Sequence, residues 1–261
     1  MQFKKYYYLV RFQYLGFRYH GWQRQPKVKT VQLMIEKTLS FVLQHDDYKV
    51  LAASRTDMMV SAHEAAFELF LKEPMDSDVL QSQLNFSLPS DLRILSIEQV
   101  SSSFNILQDS KQKEYLYLFS SGEKIHPFCA PFMQGYKEQL DIALMQKGAR
   151  IFEGEHNFKR YAYKPSENTN FIREIFLSEV VPNTIYTANF FPKNSYIFRV
   201  KGNGFMRYQV RLMMGILYQL GAGIVNLSYL KDTLNNPSSE TLKELAPASG
   251  LQLYAIDFEK K

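Results

Sequence analysis

One cysteine, Cys129, is all the chain has, which excludes an internal disulfide and a thiolate metal cluster and suits a reducing compartment. Its histidines, His20, His45, His63, His126 and His156, lack metal-ligand spacing, so no structural zinc is expected. No stretch approaches the ~18 unbroken apolar residues of a membrane helix. The N-terminal residues alternate and carry Lys4, Lys5 and Arg11 in place of an apolar signal core. These absences imply a cytoplasmic protein with no membrane partner. Acidic excess is missing too. Against 26 acidic residues stand 31 basic ones, a net charge of +5 with a pI near 9.0. Clustered Lys and Arg would favour a polyanionic partner, although a soluble basic protein reads the same on charge alone.

What is present is a folding composition, 46% hydrophobic and 22% charged over 261 residues, enough for one large domain or two ordinary halves. Aromatics reach 15%, almost all Phe and Tyr. They fill strands well, and tyrosines also suit stacking on unpaired bases; composition does not separate the two.

Periodicity orders the chain. Residues 5 to 14 alternate, with Tyr6, Tyr8, Val10, Phe12 and Tyr14 on one face of a strand. A loop punctuated by Gly16, Gly21 and Pro26 follows. Thr30 then caps a helix whose stripe is Val31, Ile35, Leu39 and Val42. Strands are predicted at 48–53 and 65–71 with Ser54-Arg55-Thr56-Asp57 after the first, then a helix over 76–88 and a strand at 93–99. The polar run 101–112 is a joint, and the halves are taken as 1–103 and 104–261. In the second half the pattern predicts a strand at 113–119, a helix over 138–152, and a loop at 163–170. Strands at 173–181, 185–191 and 195–201 follow, then helices over 205–220 and 227–236 and a final strand from Leu251. The stripe Leu212, Ile216, Leu220 is core, and Gly202-x-Gly204 is too short a match for a nucleotide loop. Each half therefore has strands and one long amphipathic helix, a duplicated α+β unit.

The most pointed chemistry lies at Arg55-Thr56-Asp57. A carboxylate on a turn between apolar strands, with an arginine beside it, stays ionised and suits a nucleophile. Alone it equally describes an Asp that caps a turn. Its setting decides more. Gly21-Trp22-Gln23-x-Gln25, Thr30-Val31-Gln32, Arg55-Thr56-Asp57-x-x-Val60-x-Ala62 and Leu84-Asn85-x-x-Leu88-Pro89-x-Asp91 occur in that order. Tyr115-x-Tyr117, Gly154-x-His156-x-Phe158, Gly204-Phe205-Met206, Val210-Arg211, Gly215 and Ala246-Pro247-Ala248-x-Gly250-Leu251 complete the series. In order and spacing this resembles the tRNA pseudouridine synthase A (TruA) family along nearly the whole chain.

The resemblance implies the pseudouridine synthase fold: α+β, with two similar α/β halves forming a central mixed, largely antiparallel sheet, flanking helices and a cleft between the halves. It implies isomerisation of uridine to pseudouridine in structured RNA, most directly the tRNA anticodon arm, with no cofactor and no metal. Asp57 matches the nucleophile, and Tyr115 the tyrosine that stacks on the target base and is a candidate for removing the C5 proton. Arg211 matches the arginine that pairs with the catalytic carboxylate, and Arg55 one that helps extract the base. Gln23, Arg24, Lys27 and Lys29 form a basic loop suited to phosphates, and His156 belongs with the RNA-binding residues. The family works as homodimers on RNA. Its usual glycine is replaced by Ser54, and its Ala-Gly and Val-His after the Asp by Met58-Met59 and Val60-Ser61. The arginines upstream of Tyr115 are Leu107, Lys113 and Glu114 here, and the Asp after His156 is Asn157. A positive φ at Met59 would cost about 1 kcal/mol. Two other readings fit these departures: a catalytically impaired RNA-binding or RNA-chaperone protein of the same fold, or an active synthase with a non-tRNA target.

Overall fold

The computed structural model describes residues 6–236, 238 and 240–259. Lys4 and Lys5, which figured in the N-terminal reading and the first expected strand, lie outside the described residues. The chain forms two compact units, one running to Lys111 and regaining the C-terminal segment from Leu253, the other Gln112–Gln252.

The first unit opens with β1, Tyr6–Tyr14, whose alternation buries Tyr8, Val10, Phe12 and Tyr14 as expected. The helix α1, Val31–Leu43, starts where Thr30 Oγ1 accepts from the Leu33 amide and buries Val31, Ile35 and Leu39. It is followed by β2, Tyr48–Ala52, and β3, Ser61–Leu71. Next comes α2, Ser77–Ser87, capped by Asp76, whose carboxylate accepts from the Asp78 and Val79 amides. Pro89, which holds Leu88 extended, ends it ahead of β4, Leu92–Val100. Strand β1 lies antiparallel between β3 and β4, with Val10 opposite Phe67 on one side and Ile97 on the other. Strand β2 pairs with the far part of β3, Ala52 opposite Phe67. The connection 53–60 between them therefore leaves the sheet, and it carries Asp57. Beneath the 16–30 loop, Trp22, Phe12 and Phe67 cluster with ring centroids 5.3 to 6.3 Å apart.

The second unit contains β5, Ser110–Ser121, from its third residue on; β6, Gln134–Tyr136; α3, Ile142–Arg150; and β7, Gly154–Asn157. Then come β8, Ile172–Pro182; β9, Ser195–Gly202; α4, Gln209–Gly221; and α5, Leu227–Asn235. Its strands run β5-β9-β8-β7, all antiparallel, with β6 parallel on β5. Both faces of β5 are covered, since Tyr115 to Phe119 are all buried, which explains its unbroken apolar run. Helix α4 is buried on almost every side, from Leu212 to Leu217 and at Leu220. The last strand, β10, Leu251–Phe258, extends the first unit's order to β4-β1-β3-β10. The protein is thus α+β with largely antiparallel sheet and flanking helices.

Local expectations fail at definable places. Residues 185–191 are not a strand. The Asn183 side chain accepts from the Ile185 and Tyr186 amides and donates to the Tyr186 carbonyl, taking up backbone groups that a ladder would need. The expected 138–152 helix shrinks to α3 because Asp141 caps it at Leu144. Strand β3 begins at Ser61, earlier than the expected 65, and the short β7 carried no alternation long enough to predict. Helix α4 begins at Gln209 and not at 205, because Tyr208 takes a left-handed turn at φ +65°.

Candidate active site

Asp57 stands half-buried on the 53–60 connection of the first unit, and the segment is held from one side by residues 14–22. The Tyr14 hydroxyl meets Thr56 Oγ1 at 2.7 Å, and the Trp22 amide donates to the Thr56 carbonyl at 3.1 Å. Beyond Asp57 the chain turns. The Val60 amide donates to the Asp57 carbonyl at 3.2 Å, and the Met59 amide to the Tyr19 carbonyl at 3.0 Å. Tyr19 is itself anchored, because its buried hydroxyl donates to Asp91 at 2.7 Å. Burial and then the Asp91 carboxylate push that phenol well above its ordinary pKa, so it stays a donor. Asp91 also takes the Arg18 guanidinium at 2.7 Å. The Leu88-Pro89-x-Asp91 stretch thus serves the Asp57 turn at one remove. Asn85, earlier in the same stretch, is a strap: its side-chain amide exchanges two hydrogen bonds with the backbone of Ile94. Arg55 is exposed on the same connection, as is much of Met58.

Among the basic-loop residues, Gln23, Arg24 and Lys27 are exposed and Lys29 is half-buried. Arg24 pairs with Glu36 at 3.0 Å, and the Lys29 ammonium lies 5.1 Å from the centre of the Tyr19 ring. Arg24, Lys27 and Lys29 line an open cavity of about 680 Å³ together with Leu33, Met34 and Lys37 of α1. Four cations around one hollow suit a phosphodiester chain. Lys37 carried no signal in the sequence, since it reads as an ordinary charge on a solvated helix face.

The second unit holds the other site residues. Tyr115, on β5, is 8% exposed and meets Phe205 edge-to-face at 5.2 Å. Two residues on, the buried Tyr117 hydroxyl donates to the Pro247 carbonyl at 2.9 Å, and burial raises its pKa well above the ordinary value. Arg211, in the first turn of α4, donates through Nε to the Ala246 carbonyl at 2.7 Å, and its guanidinium lies 4.9 Å over the Tyr208 ring. The Ala246-Pro247 stretch therefore braces both the Tyr115 strand and Arg211. His156, on β7, is half-buried, with Nε2 2.9 Å from the Glu153 carbonyl. Tyr208 was not singled out in the sequence, Tyr14 only as a residue of the first strand, and Ser61 only as a departure from the family's histidine. Among the described residues no three His, Cys, Asp or Glu side chains converge on a metal position, and no helix is long and apolar enough to cross a membrane.

Residues 149–259 match the family model described as tRNA pseudouridine synthase. A protein of Thermodesulfovibrio yellowstonii named tRNA pseudouridine synthase A is 31% identical over 248 residues, 94% of this chain and 96% of that one. The chain belongs to the tRNA pseudouridine synthase A family. Family members from Streptococcus agalactiae serotype III, 31% identical over 97% of this chain and 96% of theirs, and Aquifex aeolicus, 30% over 95% and 98%, agree. A solved Cbf5-Nop10-Gar1 complex aligns over 77% of this chain and 50% of that one, at a TM-score of 0.32 and 13% identity, too loose a superposition to add to this.

Within this family of isomerases, the remodelled turn now has a physical description. Met59 stands at φ +67°, where the family glycine would sit without strain. The Met59→Gly protein should be more stable by about 0.5–1 kcal/mol, the relieved strain less glycine's extra chain entropy. Urea titration reads this directly, and a drop in the midpoint would mean that methionine packing outweighs the strain. Ser61 is no mere loss of a histidine. It is buried, and its Oγ accepts the Gly16 amide at 2.9 Å, tying the 16–22 loop to the start of β3. Gly16 has no room for a side chain, since a Cβ there would sit 2.0 Å from the Val60 carbonyl oxygen.

Proposed function

We propose that this protein isomerises uridine to pseudouridine in tRNA, in the anticodon arm, with Asp57 as its nucleophile. The Asp57 carboxylate bonds to the nucleoside as the N1–C1′ bond breaks. The freed uracil turns, C5 bonds to C1′, the bond to the carboxylate breaks with its electron pair returning to Asp57, C5 gives up its proton through Tyr115 to water, and N1 takes one up from water. Atoms balance without a cofactor or co-reactant. Tyr115 keeps the turning base in place by stacking and receives the role of removing the C5 proton. Arg211 is the carboxylate's arginine, and Arg55 helps draw the uridine out of its helix. Gln23, Arg24, Lys27, Lys29 and His156 hold the RNA. The protein acts as a homodimer in the cytoplasm.

The observation that carries this reading is the match to tRNA pseudouridine synthase A proteins over almost the full length of both partners. The placement of Asp57 on a braced connection outside the strand ladder supports the nucleophile's role, as does the basic hollow for RNA.

The test uses the purified protein and tRNA carrying tritium at uridine C5, because each turnover expels the C5 hydrogen into water. Release from tRNA, mapped to the anticodon arm, is the expected outcome. Binding without release from any RNA would leave an RNA-binding or chaperone protein, and release from ribosomal RNA alone would show a changed target.

A further inference from the structure

Arg150, Arg160 and Arg199 of the second unit are each tied to carboxylates, of Glu153 and Glu179, of Asp232, and of Glu114 and Glu179. Arg207 is held differently. It is exposed just ahead of α4, with its guanidinium carbon 5.4 Å from the centre of the Tyr163 ring and 5.1 Å from that of Tyr208. The exposed Lys164 ammonium lies 5.4 Å from the same Tyr163 centre. No carboxylate pairs with either cation among the described residues, Glu167 of the same loop included. The two rings stand 4.7 Å apart at 32° and join the 163–170 loop to the start of α4. The Tyr163 amide reinforces that junction by donating to the Arg207 carbonyl at 3.3 Å.

A ring and a carboxylate hold a cation to different effect. The ring attracts through its quadrupole and brings no net charge, so the cation keeps its whole charge for a partner outside. Because both cations lie 5.4 Å from one ring centre, they fall within twice that distance of each other, near enough for neighbouring phosphates of one strand. The backbone here is unusual as well. Lys164 stands at φ +45° and Tyr208 at φ +65°, both in the left-handed region that side chains rarely adopt. Such conformations persist where the surroundings hold them, and they cluster at functional sites. The group also adjoins the proposed chemistry within its own unit, since the Tyr208 ring centre is 4.9 Å from the Arg211 guanidinium carbon.

We propose that Lys164 and Arg207 form a further RNA contact, a pair of cations set against the Tyr163 and Tyr208 rings to take backbone phosphates near the target uridine. This rests on the reading of the protein as an enzyme that acts on RNA. It gives the second unit a phosphate site of its own, beside the basic hollow of the first unit. Neither residue carried a signal in the sequence, where 163–170 reads only as a loop. A protein partner would need an acidic surface to fit the same cations, and a net charge of +5 makes a second copy of this chain the poorer match.

The experiment measures tRNA binding by the full-length protein between about 50 and about 200 mM salt, together with urea midpoints. The variants are Lys164→Gln, Arg207→Gln, the double glutamine variant and Arg207→Lys. Lys243→Gln is the control, an exposed lysine of the same unit already paired with Glu240 at 3.5 Å. Each single glutamine should weaken binding about fivefold near 0.1 M salt and flatten the slope of log affinity against log salt by about 0.7–0.9. The double variant should lose about twice that slope. Arg207→Lys, which keeps the charge, should keep the slope, and Lys243→Gln should match the wild type. A lowered urea midpoint with the wild-type slope would make the cluster a scaffold and overturn the proposal. Equal flattening in the control would overturn it too, because the slope would then report net charge alone. A wild-type slope with lost self-association in sedimentation would assign the two cations to a second copy instead. Tritium release by the wild type is scored separately: binding without release ends the proposed function, while the slopes still decide the contact. A wild type that binds no RNA overturns both.

Discussion

The Asp57→Asn protein is expected to bind tRNA as the wild type does and to release no measurable tritium, a fall in kcat of about 10⁴-fold or more. The amide matches the carboxylate in shape, so the turn should persist, because the Val60 amide is received by the Asp57 backbone carbonyl and not by its side chain. What changes is chemistry. A neutral amide oxygen is a poor nucleophile toward a sugar or pyrimidine carbon, and once bonded it lacks the carboxylate's capacity to leave. A residual rate within tenfold of the wild type would remove Asp57 from the reaction. Loss of RNA binding in the variant would make the residue a scaffold for the RNA surface, and the nucleophile would have to be sought elsewhere.

The fold was legible where local patterning and final burial coincide. The alternation of 6–14 became β1, and Thr30 with the Val31, Ile35, Leu39 stripe became α1, because one face of each element meets the core. Patterning misled where a side chain competed for the backbone. Asn183 looks like any turn residue, and nothing in the following alternation reveals that it captures two amides. The start of α4 was hidden for another reason. A tyrosine in a left-handed turn has no sequence signature, so the helical stripe was extended back through Phe205. Of the site, Arg55-Thr56-Asp57 alone reads as a turn aspartate; only the ordered series of motifs lifts it above that. The bonds that shape the turn join residues 42 and 45 positions apart, Tyr14 to Thr56 and Gly16 to Ser61, where periodicity says nothing. Of the motif residues, Asn85, Asp91 and Tyr117 brace the scaffold, and the proposal gives the chemistry to Tyr115 and Arg211.

Gly21→Ala should combine the largest loss of stability with a large loss of turnover, and two separate causes can be told apart. Gly21 has φ +79°, a region that costs alanine about 1–2 kcal/mol. Its Cβ would also lie 2.5 Å from the Thr56 carbonyl oxygen and 3.1 Å from the Asp57 carbonyl carbon, both backbone atoms that cannot swing aside. The Thr56 carbonyl must retreat, and with it the bond from the Trp22 amide, while the Gly21 carbonyl is simultaneously committed to the Val31 amide at the start of α1. Strain plus overpacking should cost about 2–4 kcal/mol in urea unfolding. Displacing the Asp57 turn by even an ångström should lower kcat about 100-fold in whatever protein remains folded. The control is Gly223→Ala. That glycine has a similar φ, +71°, but nothing stands within 4 Å of its Cβ, and it belongs to the other unit. It should lose about 1–2 kcal/mol with kcat unaltered. Equal losses in the two proteins, with turnover intact in both, would mean that the 16–22 loop does not set the position of Asp57, and that the turn is fixed by β2 and β3 alone.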